Sequence, residues 1–208
     1  MKNTGSLVCL TTSAAFGGAE TSLLTMLMAL RSLEPDWRIT VVTPGGGPFT
    51  ERCRSLQLDV VELPFPAALA ALGESGAAGG AASMLTRGLA VALSLPGYLS
   101  KLRAIVRSAR ATVLHTNGLK AHIAAALIKP SHVRLVWHLH EYVRSRPLSL
   151  RLMRPLAKRA DAIVANSDSV LADATAAFAR TAGITRIHNA VDARVFSPDG
   201  PGDRKSVV

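Results

Sequence analysis

The residues best suited to chemistry sit in short polar clusters at the ends of apolar runs. Trp137-His138-Leu139-His140-Glu141 sets two imidazoles two positions apart, followed by a carboxylate. On a strand, alternation sends His138 and His140 to one side and Leu139 to the other. His140 lies nearest the strand's carboxyl end, where an imidazole can orient a ligand hydroxyl or stabilise developing charge. Glu141 either contacts an acceptor or caps a helix. A His-x-His-Glu run also suggests a metal, but no third ligand stands at a persuasive spacing, so no metal site is expected.

Phe16-Gly17-Gly18-Ala19-Glu20 follows one apolar run and opens another. Paired glycines allow a tight turn and close approach of a ligand to the backbone. The first-turn N–H groups of a following helix favour an anion or a hydroxyl. Glu20 can accept bonds from hydroxyls, or serve as a helix N-terminal carboxylate favoured by the dipole. The pattern is not G-x-G-x-x-G, so a nicotinamide or flavin dinucleotide is a weak reading. Pro44-Gly45-Gly46-Gly47-Pro48 is not that fingerprint either and reads as a turn.

Three further clusters are candidates. In His115-Thr116-Asn117-Gly118, His115 and Asn117 either reach a crevice or serve as a satisfied strand histidine and a turn or N-cap residue. In Asn166-Ser167-Asp168-Ser169, Ser167 or Asp168 caps a helix, and Asn166 can still face a cleft. Asn189 follows the last apolar run in His188-Asn189-Ala190-Val191-Asp192, and Phe196 is placed to anchor the chain beyond it.

These clusters punctuate an alternation of strands and helices. Strands are predicted at Ser6 to Thr12, Arg38 to Val42, Asp59 to Leu63, Thr112 to His115, Arg134 to Leu139, Asp161 to Ala165 and Ile184 to His188. Helices are predicted at Thr21 to Arg31, Pro48 to Leu56, Met84 to Leu95, Gly97 to Arg110, Leu119 to Ile128, Ser149 to Arg159 and Ser169 to Ala179. Pro96 is expected to separate the third helix from the fourth. Residues Pro64 to Ala82, rich in Gly and Pro, read as a loop whose alanines can form one short helix. The alternation predicts an α/β fold: one Rossmann-like domain over residues 1–196, with a mostly parallel sheet flanked by helices. Residues 197–208 read as a linker or frayed tail. Ligands of such sheets bind outside the carboxyl ends of the strands, where the five clusters fall.

Bulk properties narrow the class. A length of 208 residues suits one substantial core, and 49% hydrophobic residues argue against disorder. The net charge of +10 favours anionic partners, yet no nucleic-acid reader motif accompanies it, so nucleic acid is not expected. Cys9 and Cys53 form neither a zinc pattern nor a disulfide framework. The first apolar run is too short for a signal-peptide core or a membrane span. A cytoplasmic location is therefore expected, extending to the inner face of a membrane. Lys101, Arg103, Arg107 and Arg110, beside Leu99, Leu102, Ile105 and Val106, are either a solvated helix face or a peripheral membrane contact.

Five motifs agree in order and spacing: FGGAE, HTNG, WHLHE, VANSDSV and IHNAVD followed by VFSP. With them the chain resembles the N-terminal half of a retaining glycosyltransferase of the GT-B fold, in the large family called GT4 or glycosyl transferases group 1. The resemblance spans nearly the whole chain. It departs at Ala190, where the family customarily has glycine.

The resemblance implies the acceptor-binding half of an enzyme that moves a sugar from an NDP-sugar to a hydroxyl, with retention at the anomeric carbon. Gly17 and Gly18 would form the loop near the donor phosphates and acceptor, with His140 as the cleft histidine near the transferred sugar. Asn166 and Ser167 would lie on the same cleft wall, and Asn189 and Asp192 where the chain leaves the domain. No cofactor is implied; the NDP-sugar is a substrate. The family's Lys/Arg pair and E-x7-E-type motif belong to a C-terminal donor-binding domain that these residues lack. Hexosyltransferase-like activity is thus expected only with that domain, in the full-length chain or on a partner subunit. The alternatives are a non-catalytic binding or assembly module that keeps the Rossmann-like fold, and a different nucleotide-dependent α/β enzyme.

Overall fold

A computed structural model of the protein describes residues 4–70, 81–179 and 183–191. The chain alternates β1 (Ser6–Thr11), α1 (Gly18–Leu33), β2 (Arg38–Thr43), α2 (Gly47–Ser55), β3 (Asp59–Glu62), α3 (Ala67–Ala70) and α4 (Ala81–Ser108). It continues with β4 (Val113–Asn117), α5 (Leu119–Ile128), β5 (Arg134–Leu139), α6 (Pro147–Leu156) and a 3-10 turn at Ala157–Arg159. It closes with β6 (Ala162–Ala165), α7 (Asp168–Phe178) and β7 (Ile184–Arg186). All seven strands join one sheet in the order β3-β2-β1-β4-β5-β6-β7, and every pairing is parallel. This is the Rossmann-like sheet that the alternation predicts.

Parallel strands covered on both faces carry unbroken apolar runs. β1, at the centre, has all six residues buried. Its alternate side chains feed two cores. Leu7 and Cys9 join Leu23, Leu27, Phe49 and Cys53 from α1 and α2. Val8 and Leu10 join Leu102, Ala125, Trp137, Met153 and Ala174 under α4 to α7. The right-handed crossover rule requires this division, because connections moving outward from β1 in opposite directions must cover opposite faces.

Two expectations need correction. The helices foreseen on either side of Pro96 are one helix, α4, which runs through it. Proline costs a helix interior about 3 kcal/mol. Tyr98, Leu102 and Val106, next along the chain, are almost completely buried, and a fully buried large apolar side chain contributes about 1.5–3 kcal/mol. Their burial outweighs the lost N–H, and the exposed side of the helix receives the proline ring. The loop expected through Ala82 holds the one short helix foreseen in it, α3 at Ala67–Ala70, but it ends earlier than expected, since Ala81 already belongs to α4. Residues 71–80, the predicted tail at 197–208, Asp192 and Phe196 lie outside the described residues. The remaining differences are shifts of a few residues at element ends, the largest being the three-residue N-terminal extension of α1 to Gly18.

The triple glycine after β2 has a specific role. Gly45, Gly46 and Gly47 all have positive φ, a region that L side chains rarely adopt. A Cβ on Gly47 would stand 2.7 Å from the Ala14 carbonyl oxygen, whereas one on Gly46 would meet open space. Phe49 N–H donates to that same carbonyl at 3.3 Å. The turn therefore braces the loop after β1. Gly47→Ala should lower unfolding stability by about 2–3 kcal/mol and Gly46→Ala by about 1 kcal/mol, measured by urea denaturation. Equal losses would show that the contact with Ala14 contributes nothing.

Candidate functional site

The strand order reverses between β1 and β4. The connection from β1 leaves toward β2 and that from β4 leaves toward β5, so their helices diverge and open a crevice at the carboxyl edge. A pocket of about 280 Å³ fills that crevice. Thr12 and Ser13 come from the end of β1, and Ala19 and Glu20 from the first turn of α1. Asn117 and Gly118 end β4, and His122 reaches in from α5. His140 and Glu141 follow β5, while Arg146 and Ser149 close the far side.

The glycine loop is arranged by Glu20. Its carboxylate accepts the Gly17 N–H at 3.1 Å, and Thr21 N–H donates to the Gly17 carbonyl at 2.9 Å as the first turn begins. The helix-capping reading of Glu20 is thus occupied, and the same carboxylate also borders the pocket. The remaining first-turn N–H groups lack intrahelical acceptors. A Cβ on Gly18 would have nothing within 4 Å, so the backbone there is open to close approach.

The histidines form a graded stack. In register, Asn117 pairs with His138 and His115 with Val136, so His115, Asn117, His138 and His140 share the sheet face that carries α1. The His115 and His138 ring centroids are 5.5 Å apart, and those of His138 and His140 are 4.2 Å apart. His115 and His138 are buried below the pocket, and only His140 reaches its wall. On the opposite face, His122 is completely buried. Its Nδ1 is 2.6 Å from Thr116 Oγ1, and its ring stacks on Trp137 with centroids 5.3 Å apart.

Among the described residues, His122 Nε2, His140 Nε2 and Asn117 Oδ1 are buried without a hydrogen-bond partner. All three residues border the pocket. An unsatisfied buried polar atom costs roughly 1–3 kcal/mol, so each is a place for a ligand hydroxyl or water. Sequence reading missed His122, together with Lys120, Arg146 and Ser149. A histidine among the apolar residues that follow Lys120 in helix 119–128 was its only signal.

The other expected residues lie elsewhere. Ser167 caps α7, accepting the Val170 N–H at 3.2 Å. Asn166 Oδ1 is buried and unpartnered, one strand beyond His140 and outside the pocket lining. Asn189 accepts the Ser22 hydroxyl at 2.9 Å, tying the chain after β7 to α1. Among the described residues, no group of three or more His, Cys, Asp or Glu side chains is placed to hold a metal ion.

The fold is that of the Rossmann-like N-terminal half of a GT-B glycosyltransferase, with its crevice at the switch point. The model of Glycosyltransferase Family 4 matches residues 16–195, and the chain belongs to that family. Anabaena Alr3699/HepE, solved in complex with UDP and glucose, superposes with a TM-score of 0.69 at 20% identity, over 93% of this chain and 47% of that one. A glycosyltransferase from Rickettsia africae gives 0.66 at 12% identity, over 98% and 48%. Acinetobacter baumannii MurG gives 0.58 at 8% identity, over 95% and 48%. The chain thus spans about half the length of these structures. No curated protein sequence matches it.

Burial is the chief cause holding all four imidazoles below their ordinary range. His115 falls to about 4 and His138 to about 3, each lowered further by neighbouring imidazoles. His140 is lowered by burial alone, and His122 well below its usual value by burial and then by the other three. These rings are therefore neutral at pH 7 in the folded chain. Below pH about 6.5 the unfolded chain binds more protons than the folded one, so stability falls with falling pH. Each titrating imidazole contributes about 1.4 kcal/mol per pH unit in that window. Urea titrations should therefore show stability lost steeply from pH 6.5 to 5, by about 4 kcal/mol per unit at most, since His115, His122 and His138 all stay neutral in the folded chain through that window. His138→Phe should flatten that slope; an identical slope would show that His138 contributes none of it.

Proposed function

We propose that this chain is the acceptor-binding half of a retaining glycosyltransferase that moves a sugar from an NDP-sugar to a hydroxyl acceptor. The observation that carries the reading is the switch-point pocket, where Asn117, His122 and His140 each present a buried polar atom without a partner. A polyhydroxylated ligand supplies the donors and acceptors such a wall lacks. Membership of Glycosyltransferase Family 4 supports the reaction class.

In this reading the diphosphate approaches the first turn of α1 over Gly18, where amides and the helix dipole favour an anion. The bond between the anomeric carbon and the diphosphate oxygen breaks, and the acceptor oxygen forms the new bond on the same face. The acceptor proton passes to the departing diphosphate. His140, held neutral, hydrogen-bonds a hydroxyl of the sugar undergoing transfer. Glu20 and Glu141 accept from acceptor hydroxyls, and Asn117 sets the acceptor's orientation. His115 and His138 act behind this wall by fixing the His140 ring. Asn166, Ser167 and Asn189 border the cleft once the facing half is present. Most of the donor contacts, and the stabilisation of the leaving group, fall to a C-terminal donor-binding domain in the same polypeptide or on a partner subunit. No metal or other cofactor takes part.

Transfer from a panel of NDP-sugars should be undetectable with residues 1–208 alone and appear when the donor-binding half is restored. In the restored enzyme, His140→Ala should reduce kcat about 100-fold, the scale of losing one preorganised polar contact in the transition state, without changing the urea midpoint. Turnover by residues 1–208 alone would overturn the split cleft. Near-normal kcat for His140→Ala would overturn the role of that histidine. Absence of transfer in both arrangements would favour a binding or assembly module.

A further inference from the structure

We infer that His122 is a specificity-determining residue: Thr116 fixes its ring as the tautomer with a bare Nε2, and the pocket therefore takes an acceptor that donates a hydroxyl hydrogen to that nitrogen. The inference rests on the glycosyltransfer reading and adds the atom that selects the acceptor and the group it requires.

One hydrogen decides the tautomer. The Thr116 hydroxyl has a single hydrogen and two close partners. It donates to the Val136 carbonyl oxygen at 3.1 Å, and its Oγ1 lies 2.6 Å from His122 Nδ1. A carbonyl oxygen has no hydrogen to give, so the threonine hydrogen must point toward Val136 for that contact to attract. The hydroxyl then accepts on its other side, and Nδ1 carries the hydrogen that it accepts. With the reverse assignment, two oxygens would face each other at 3.1 Å with lone pairs only. Burial keeps the ring uncharged at pH 7. A neutral imidazole carries one N–H, so a hydrogen on Nδ1 leaves Nε2 as an acceptor alone.

The ring is also held in place. Trp137 stacks on it with centroids 5.3 Å apart, and the His122 N–H donates to the Gly118 carbonyl at 3.0 Å in the first turn of α5. The side chain is completely buried, it borders the pocket, and Nε2 has no partner. A ring kept for packing alone needs no such atom, because a hydrocarbon ring fills the same space without the cost of an unpaired nitrogen. Asn117 Oδ1, also unpartnered in the lining, is a second acceptor, and the Glu20 carboxylate is a third. A wall of acceptors calls for donors. A hydroxyl supplies one; an ether or phosphate oxygen brings only lone pairs.

Nitrogen NMR of isotope-labelled residues 1–208 at pH 7 tests the tautomer directly. His122 should show a protonated Nδ1 and an unprotonated Nε2; the reverse, or protonation of both, overturns the inference. Thr116→Val should let the hydrogen appear on Nε2, whereas Thr116→Ser should keep it on Nδ1. An unchanged tautomer in Thr116→Val would overturn the positioning role of Thr116. Glycerol and glycerol trimethyl ether, which share a skeleton but differ in hydroxyl hydrogens, test the selection. Glycerol should move the Nε2 signal saturably and bind about tenfold or more tightly than the ether. His122→Phe keeps a ring against Trp137 and should erase that preference without lowering the urea midpoint. Equal binding of the two probes, an Nε2 signal unmoved by glycerol, or a preference that survives His122→Phe overturns the inference. The restored enzyme separates this inference from the reading beneath it. There His122→Phe should raise the acceptor KM about tenfold or more and change kcat less. Transfer with an acceptor KM indifferent to His122→Phe would leave glycosyltransfer standing and remove His122 as the selecting residue. Absence of transfer, beside the expected tautomer and glycerol preference, would do the reverse.

Discussion

Parallel pairing of β1 with β4 is the constraint on which the rest of the molecule depends. Leu7 to Thr11 lie level with Val113 to Asn117, yet the helices that leave these two strands, α1 and α5, run over opposite faces. The divergence leaves a gap at one edge only, the carboxyl edge. The buried Asn117 and His138 and the half-buried His140 stand at or next to that edge. The first turn of α1 enters from one side and α5 from the other, and the glycine turn at 45–47 holds the intervening loop against Ala14. The pocket is thus a consequence of strand order, and its side chains are those that strand ends and helix starts can deliver.

The burial of the histidines has an electrostatic consequence. Four imidazoles lie close together in a largely buried region, and among the described residues no carboxylate forms an ion pair with any of them. Charging one ring would cost desolvation and also repulsion from any other charged ring. Neutral rings escape both costs and keep one donor and one acceptor nitrogen each. The stack therefore works through hydrogen-bond direction. Thr116 orients His122 from one side of the sheet, while His138 packs against His140 on the other. The buried thiols of Cys9 and Cys53 lie in the same apolar interior. Burial raises both, Cys53 to about 11, so they behave as small core side chains, as the apolar setting of Cys9 in the sequence implies.

Much of this arrangement could be read from residue order. Period and punctuation are strong for α5 and β5, and their ends at 119–128 and 134–139 coincide with the structure. The clusters at strand ends were visible because parallel sheets place loops there. What failed did so for tertiary reasons. Pro96 is a local stop signal, but the burial of Tyr98, Leu102 and Val106 is not local. His122 was hidden because α5 is apolar apart from it and Lys120, and such a helix shows no polar face from which to infer a site. His115 and His138 were read beside His140 as possible cleft residues, although only register reveals that His138 stands one step and His115 two steps below His140. Arg146 and Ser149 enter the pocket through the loop and first turn preceding the α6 core contacts, a placement no spacing rule encodes.

The pocket is built as one wall. Its unpartnered atoms, Asn117 Oδ1, His122 Nε2 and His140 Nε2, come from strand ends and from α5, and none comes from a facing surface. A second asymmetry lies on the sheet itself. α1 and α2 cover β1 to β3 on one face, but on that same face Val136 and Val164 of β5 and β6 remain only half-buried. Uncovered apolar strand residues cost stability, and unsatisfied polar atoms cost more. The valines and two of the three unpartnered atoms, those of Asn117 and His140, lie on the same face of the sheet. A second body seated there would relieve both at once, covering valines while closing hydroxyl-bearing ligands against the histidine wall. Interdomain closure and ligand capture would then draw on the same free energy, so a bound sugar would stabilise the closed cleft and a closed cleft would tighten the hold on the sugar.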